Sequence, residues 1–316
     1  MATGLDLKAY PAVDTMCRPG YCDPEFTKSF FDVWEQRIMA HATFKGVMKR
    51  LGIEEGQEWK ALGSLGKSSV EEMIQEMDEI GVEIVFIDQM VEWSLKENRE
   101  IGHYNLQKLA ELMNKSQGRI VGGAGYNPFR ITESLRELET AVKEFGFKYV
   151  WFDIISFGVQ ANDRRCYPLY HKCVELGIPC CIQVGHNAKP IPSAVGHPMY
   201  AGDVAFDFPE LTLVLTHTGW PWIDEWISMI WTHPNVYGNI GAYYPKSLSP
   251  SIVKFMDGRG RHKIMWATNG LGLTRCKSEY LELPLREESR RSILRDNAVN
   301  VFHLDIPLAE SIHGSH

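Results

Sequence analysis

Eight short apolar segments, separated mostly by stretches of helical period, constrain the fold of this 316-residue chain more than any other feature. They are PAVDT (11–15), EIVFID (83–88), RIVGGAGY (119–126), KYVWFDI (148–154), PCCIQV (179–184), LTLVLT (211–216), NVYGNI (235–240) and KIMWAT (263–268). Most lack the in-out alternation of a half-solvated strand, which is the pattern of parallel strands covered on both faces. Helical patterns lie between them: Val70 to Glu79 behind a Ser69…Glu72 capping box, Glu133 to Glu144 behind Thr132, Leu169 to Glu175 ended by Gly177, and Ile223 to Trp231. Such alternation predicts an α/β fold, a (β/α)8 TIM barrel forming one domain over 1–316. The alternative is an open doubly wound sheet, which the absence of a glycine-rich phosphate loop after the first segment disfavours. Residues 19–67 are long for a strand-to-helix connection. Their aromatics, as in FFDVWEQRIM, predict an insertion after strand 1 that caps the barrel mouth or meets another subunit.

A formal net charge of −7, with both signs interspersed, excludes the clustered basic face of a nucleic-acid binder and points to a small-molecule partner. No apolar run approaches the roughly 18 residues of a membrane helix. The N-terminal MATGLDLKAYPAVD has no basic-then-apolar pattern, so the expected location is cytoplasmic. Seven cysteines without a CxxC pair are expected to be reduced and mostly buried. The tail after Asp305 reads as loosely attached.

In a barrel of parallel strands, chemistry gathers where the strands end. The polar residues so placed are Asp14, Met16 and Arg18, then Asp88, Asn127 and Asp153, then Gln183 and His186, His217, Asn239 and Tyr243, and Asn269. Cys17 beside Arg18 has no recognisable base, and Ser156 lacks a GxSxG elbow, so neither reads as a nucleophile.

The segments YPLYHKCVELGIPCCIQVGHN (167–187), VAFDFPELTLVLTHTGWPWIDEWI (204–227), NVYGNIGAYYP and KIMWATNG resemble the amidohydrolase-related family, which contains the aminocarboxymuconate semialdehyde and resorcylate decarboxylases. The resemblance runs from about residue 70 to 303, with FPELTLVLTHTG its most specific part. It implies a (β/α)8 barrel and an enzyme acting on a small carboxylated or aromatic substrate by hydrolysis or decarboxylation. It also implies metal ligands that this sequence lacks. The IDxHxH pattern falls on Met16 and Arg18, the strand-five histidine on Gln183 and the strand-eight aspartate on Asn269; only His217 survives. Gln, Asn and Met are poor ligands for zinc or manganese. A fixed cation about 4 Å from a dication costs roughly 8 kcal/mol at an effective dielectric near 20.

The expectation is therefore an enzyme without the inherited metal and without a cofactor. In it His217 is the general base, Asp153 or Asp14 orients it, and Arg18 grips a substrate carboxylate. His186, Gln183 and Asn269 donate to developing negative charge, while Trp220 and Tyr243 line the pocket. One alternative rebuilds a site for a divalent metal from Asp153, His186 and His217, able to support oxygen chemistry. Another is a non-catalytic subunit partnering an active homologue; the expected assembly is a homo-oligomer or such a hetero-oligomer.

Overall fold

The computed structural model describes residues 6–308; the last part of the tail, 309–316, lies outside them. In chain order the elements are β1 (Ala12–Asp14), α1 (Pro24–Phe30), α2 (Trp34–Leu51), α3 (Trp59–Gly63), α4 (Val70–Ile80), β2 (Val82–Asp88), the hairpin strands β3 (Glu92–Ser94) and β4 (Arg99–Ile101), and α5 (Leu106–Lys115). Then come β5 (Ile120–Ala124), α6 (Ile131–Lys143), β6 (Tyr149–Phe152), α7 (Tyr167–Leu176), β7 (Cys180–Gln183), α8 (Tyr200–Asp207), β8 (Leu213–Thr216) and α9 (Ile223–Thr232). β9 (Val236–Asn239), α10 (Pro250–Met256), β10 (Ile264–Met265), α11 (Leu273–Leu281), α12 (Glu287–Arg291) and α13 (Asn297–Val301) complete the chain.

Eight strands pair in parallel in the order β1-β2-β5-β6-β7-β8-β9-β10, as a (β/α)8 barrel requires. Seven of the eight apolar segments contain one of them, and the eighth, 83–88, covers all of β2 but Val82. The ring closes where the Thr15 amide donates to the Trp266 carbonyl at 3.1 Å. β5, β6, β7 and β8 are buried at every residue, which explains the unbroken apolar runs. All seven cysteines are free and buried. Burial pushes the Cys17 thiol well above its usual range, so it is no thiolate despite Arg18 beside it in sequence.

Helix starts differ from the sequence reading in two places. Glu72 reaches back to the Ser68 amide rather than to that of Ser69, whose hydroxyl accepts from the Glu72 amide. α6 starts at Ile131 after Arg130, so Thr132 is inside the helix. No described helix is long and apolar enough to cross a membrane.

Candidate active site

A cavity of about 310 Å³ opens where the strands end. Gln183 reaches it from the last position of β7, and Arg18, Met90, His217, Tyr243 and Asn269 from the segments following β1, β2, β8, β9 and β10. Phe30 of α1, Gln36, Met39, Thr43 and Phe44 of α2, and Leu62 of α3 line the opposite side. The strand ends supply most of the polar lining, and helices α1, α2 and α3 a mostly apolar face broken by Gln36 and Thr43.

Arg18 is the hub of the polar wall. Its Nε donates to Asn269 Oδ1 at 2.6 Å, Nη1 donates to both oxygens of Asp88 at 3.1 and 3.0 Å, and Nη2 lies 3.4 Å from Met16 Sδ. Its guanidinium stacks 4.1 Å from the centre of the Trp151 ring. Asp88 is buried, which raises its carboxyl above the usual range, and Arg18 opposes that rise. An arginine so held has N–H capacity left on Nη2, aimed by five fixed contacts rather than by a flexible stem.

The same contacts answer whether these residues fit a divalent ion. The positions that the family resemblance marks for ligands carry Met16, Arg18, Gln183, His217 and Asn269. The guanidinium touches two of the others directly, so an ion bound among them would meet a fixed positive charge and neutral or sulfur donors. The set does not fit zinc or manganese. The rebuilt alternative is not assembled either. Among the described residues no three His, Cys, Asp or Glu side chains form a group able to hold a metal ion. Asp153 is fully buried while His186 is exposed.

His217 lines the cavity with no charged partner. Its Nδ1 is buried without a hydrogen-bond partner, and burial, reinforced by the Arg18 charge, lowers the imidazole pKa to about 3. At neutral pH it is an uncharged base. The orienting carboxylate expected from the sequence is absent: neither Asp153 nor Asp14 bonds the ring. Instead the Asn239 side chain accepts from the His217 amide at 3.0 Å and fixes the backbone.

That backbone is strained. Of the seven described non-glycine residues with positive φ, four line the cavity: Met90 at 47°, His217 at 68°, Ala242 at 70° and Asn269 at 55°. Such conformations cost of order 1–3 kcal/mol each and persist where surrounding contacts over-determine them. At Asn269 the contact is its amide bond to the Met16 carbonyl, 2.6 Å. Glycine is needed at Gly185, φ 92°, where a Cβ would stand 2.8 Å from the Gly219 carbonyl carbon and the Trp220 oxygen. That close approach joins the loops carrying His186 and Trp220, whose rings pair edge-on at 5.7 Å. Trp220 lines the cavity although it is 49% exposed.

Asp14 belongs to the barrel closure and does not line the cavity. Its carboxylate accepts from the Met16 and Thr268 amides at 3.1 and 2.9 Å and from the Thr268 hydroxyl at 2.6 Å. Burial outweighs these bonds and raises its pKa from 3.8 to about 6. A raised folded pKa means that stability is fully present below about 4 and is lost as pH rises through 6, by about 3 kcal/mol at most. Asp14→Asn keeps both backbone bonds, since Thr268 Oγ1 is able to accept from the new amide. Urea midpoints of the variant are expected to lack this component between acid and neutral pH. Identical pH profiles for variant and wild type would contradict the assignment.

Asp153 serves a cluster that strand-end reasoning missed. Lys189 Nζ donates to Glu92 Oε2 at 2.6 Å and to Asp153 Oδ2 at 3.3 Å, and both oxygens accept further bonds, from Gln36 Nε2 at 3.0 Å and Asn187 Nδ2 at 3.2 Å respectively. Glu92 and Lys189 are nearly inaccessible yet line the cavity. Burial raises the Glu92 carboxyl against the pull of Lys189. Burial also works to lower the Lys189 ammonium, but Glu92 and Asp153 hold it above its usual value. The signal in the sequence was a lysine in HNAKP, six residues past the end of β7, and a glutamate in a short hairpin after β2.

The geometry can be set beside known proteins. The sequence profile of the Amidohydrolase family matches residues 70–304. The 2-keto-4-carboxy-3-hexenedioate hydratase of Sphingobium sp. (strain NBRC 103272 / SYK-6) is 33% identical over 105 residues, a match taking in 28% of this chain and 31% of the hydratase. An uncharacterised TIM-barrel protein, Bb4693 from Bordetella bronchiseptica, superposes with a TM-score of 0.69 at 22% identity, over 93% of this chain and 98% of that one. The 5-carboxyvanillate decarboxylase of Novosphingobium aromaticivorans DSM 12444, solved with manganese and 4-hydroxy-3-methoxy-5-nitrobenzoic acid, gives 0.66 at 15% identity over 94% and 97%. These likenesses bear on the barrel, and the profile, which spans the strand ends from β2 to β10, bears on the lineage: this chain belongs to the amidohydrolase family.

Proposed function

We propose that the protein is an enzyme that adds water to a small carboxylated substrate, by hydration or hydrolysis, and that it does so without a divalent ion. The observation that carries this reading is the Arg18–Asn269 pair beside an uncharged His217 in an open, strained cavity. Arg18 Nη2 anchors a substrate carboxylate, and residues 19–67 cap the site, their apolar side chains covering the rest of the substrate. The anchored carboxylate is not the reacting group. A guanidinium stabilises a bound carboxylate more than the neutral carbon dioxide forming from it, so gripping a leaving carboxylate would slow decarboxylation. His217 accepts a proton from the attacking water. Its basicity rises when the substrate's negative charge offsets the field of Arg18. The hydratase relative's substrate, an unsaturated tricarboxylate, has the chemistry this arrangement suits. A non-catalytic subunit has no need for four strained residues around an accessible cavity.

The test incubates EDTA-treated protein with 2-keto-4-carboxy-3-hexenedioate and, separately, with 5-carboxyvanillate, and reads products by mass spectrometry. Gain of water without added metal is expected, and His217→Ala is expected to reduce turnover about 10²- to 10⁴-fold. Loss of carbon dioxide, strict dependence on added zinc or manganese, or a fully active His217→Ala would overturn the proposal.

A further inference from the structure

The Glu92 carboxylate has a divided role in its bonding. Oε2 takes both of the residue's strong bonds, from Lys189 Nζ and Gln36 Nε2. Oε1 accepts no bond from the described residues, and it is not among the sealed, unpartnered polar atoms of the interior, although the residue is 5% exposed and lines the cavity. One oxygen is pinned by two donors, and the other has no described donor in a residue that lines the cavity. The groups facing this carboxyl are the Lys189 ammonium, the Asp153 carboxylate that shares it, the more distant Arg18 and the neutral Gln36.

We infer that Glu92 is a second catalytic group of this cavity, a general acid whose Oε1 delivers a proton to the substrate while Lys189 and Gln36 position it. The inference rests on the water-adding reading above. As the water oxygen bonds to the substrate, its proton passes to His217. The electron pair displaced from the attacked bond takes the proton on Glu92 Oε1. One water is consumed, and the imidazolium returns its proton to the Glu92 carboxylate through the open cavity. Two carboxylates sharing one ammonium favour this use, because Lys189 stabilises the carboxylate that the transfer leaves behind. Burial and the Asp153 charge drive the carboxyl up, burial and the Arg18 charge drive the imidazole down, and an anionic substrate beside Glu92 favours its protonated form further, which are the directions an acid and a base need.

The test uses benzoate, a carboxylate inert to water addition, and calorimetry in phosphate and in Tris, whose different ionisation heats report protons taken up on binding. In the His217→Ala background, which removes the imidazole's own uptake, benzoate binding is expected to draw a proton onto Glu92. Adding Glu92→Gln, which keeps an acceptor for Lys189, is expected to abolish the uptake while Kd stays within about threefold. With 2-keto-4-carboxy-3-hexenedioate, Glu92→Gln alone is expected to lower kcat about 10²- to 10⁴-fold with KM little changed. Unchanged proton uptake, or kcat within about threefold of wild type while His217→Ala is inactive, overturns the role of Glu92 alone. Failure of benzoate to bind, or full activity in His217→Ala, overturns the underlying reading.

Discussion

Arg18→Met is expected to lower the melting temperature by roughly 5–15 °C, a loss of about 3–5 kcal/mol for a chain of this size. Methionine replaces the aliphatic stem but leaves Asp88, 1% exposed, with no cation. Breaking one side of a buried pair costs more than the pair contributes, because the remaining charge is neither solvated nor matched. The pH dependence has a definite sign. Asp88 already lies above its usual range, and losing Arg18 raises it further, so the variant's stability is lost as pH rises through that value and partly recovered in acid. Asp88→Asn in the same chain is expected to restore most of the deficit at neutral pH. Arg18→Lys keeps the charge but has one nitrogen where three now reach Asp88, Asn269 and Met16. It is expected to fold near-normally yet bind benzoate poorly. Thermal scans from acid to neutral pH measure all three variants. A shift under about 2 °C in Arg18→Met would mean that Asp88 finds another partner.

The eight strands were legible because burial on both faces writes itself into consecutive residues, as CCIQ and LVLT of β7 and β8 illustrate. Strand ends were legible for the same reason, and Arg18, Gln183, His217 and Asn269 meet at one cavity as their positions suggested. Pairing among them was not legible. Asp153 follows β6 but turns to Lys189, and Asp14 turns to Thr268, because buried carboxylates go to the nearest donors that satisfy them, and here those come from segments distant in sequence. Glu92 and Lys189 lie 97 residues apart, each in an irregular or very short element where no period marks an inward side chain. The strain at Ala242 likewise leaves no trace in residue type, since alanine does not advertise a left-handed backbone, whereas His217 and Asn269 are of types enriched there.

Lys189→Met is expected to be comparably destabilising, by about 3–5 kcal/mol, for a different electrostatic reason. The ammonium is held between Glu92 at 2.6 Å and Asp153 at 3.3 Å, all three side chains buried. Without it two carboxylates share one unsolvated space, and at neutral pH one of them must take a proton or the cluster must open. Glu92, already raised by burial, is the one placed to take it. Stability of the variant is then lost as pH rises through that raised value, so its deficit is larger at pH 8 than at pH 5. Lys189→Met/Glu92→Gln removes one of the competing charges and is expected to recover part of the loss, with a coupling of about 0.5–3 kcal/mol in a double-mutant cycle. The consequence reaches beyond the cluster, because Gln36 of α2 holds the same Glu92 oxygen that Lys189 holds. If Glu92 swings toward solvent, α2 loses one of its polar ties to the β3–β4 hairpin and keeps those of Glu35 to Ser94 and Lys96, and limited proteolysis is expected to cut within 34–51 sooner in Lys189→Met than in wild type. Additive double-mutant energies with unchanged cleavage would show that α2 is held by its apolar contacts and the Glu35 bonds to Ser94 and Lys96, and that the buried ion cluster stabilises only its own three residues.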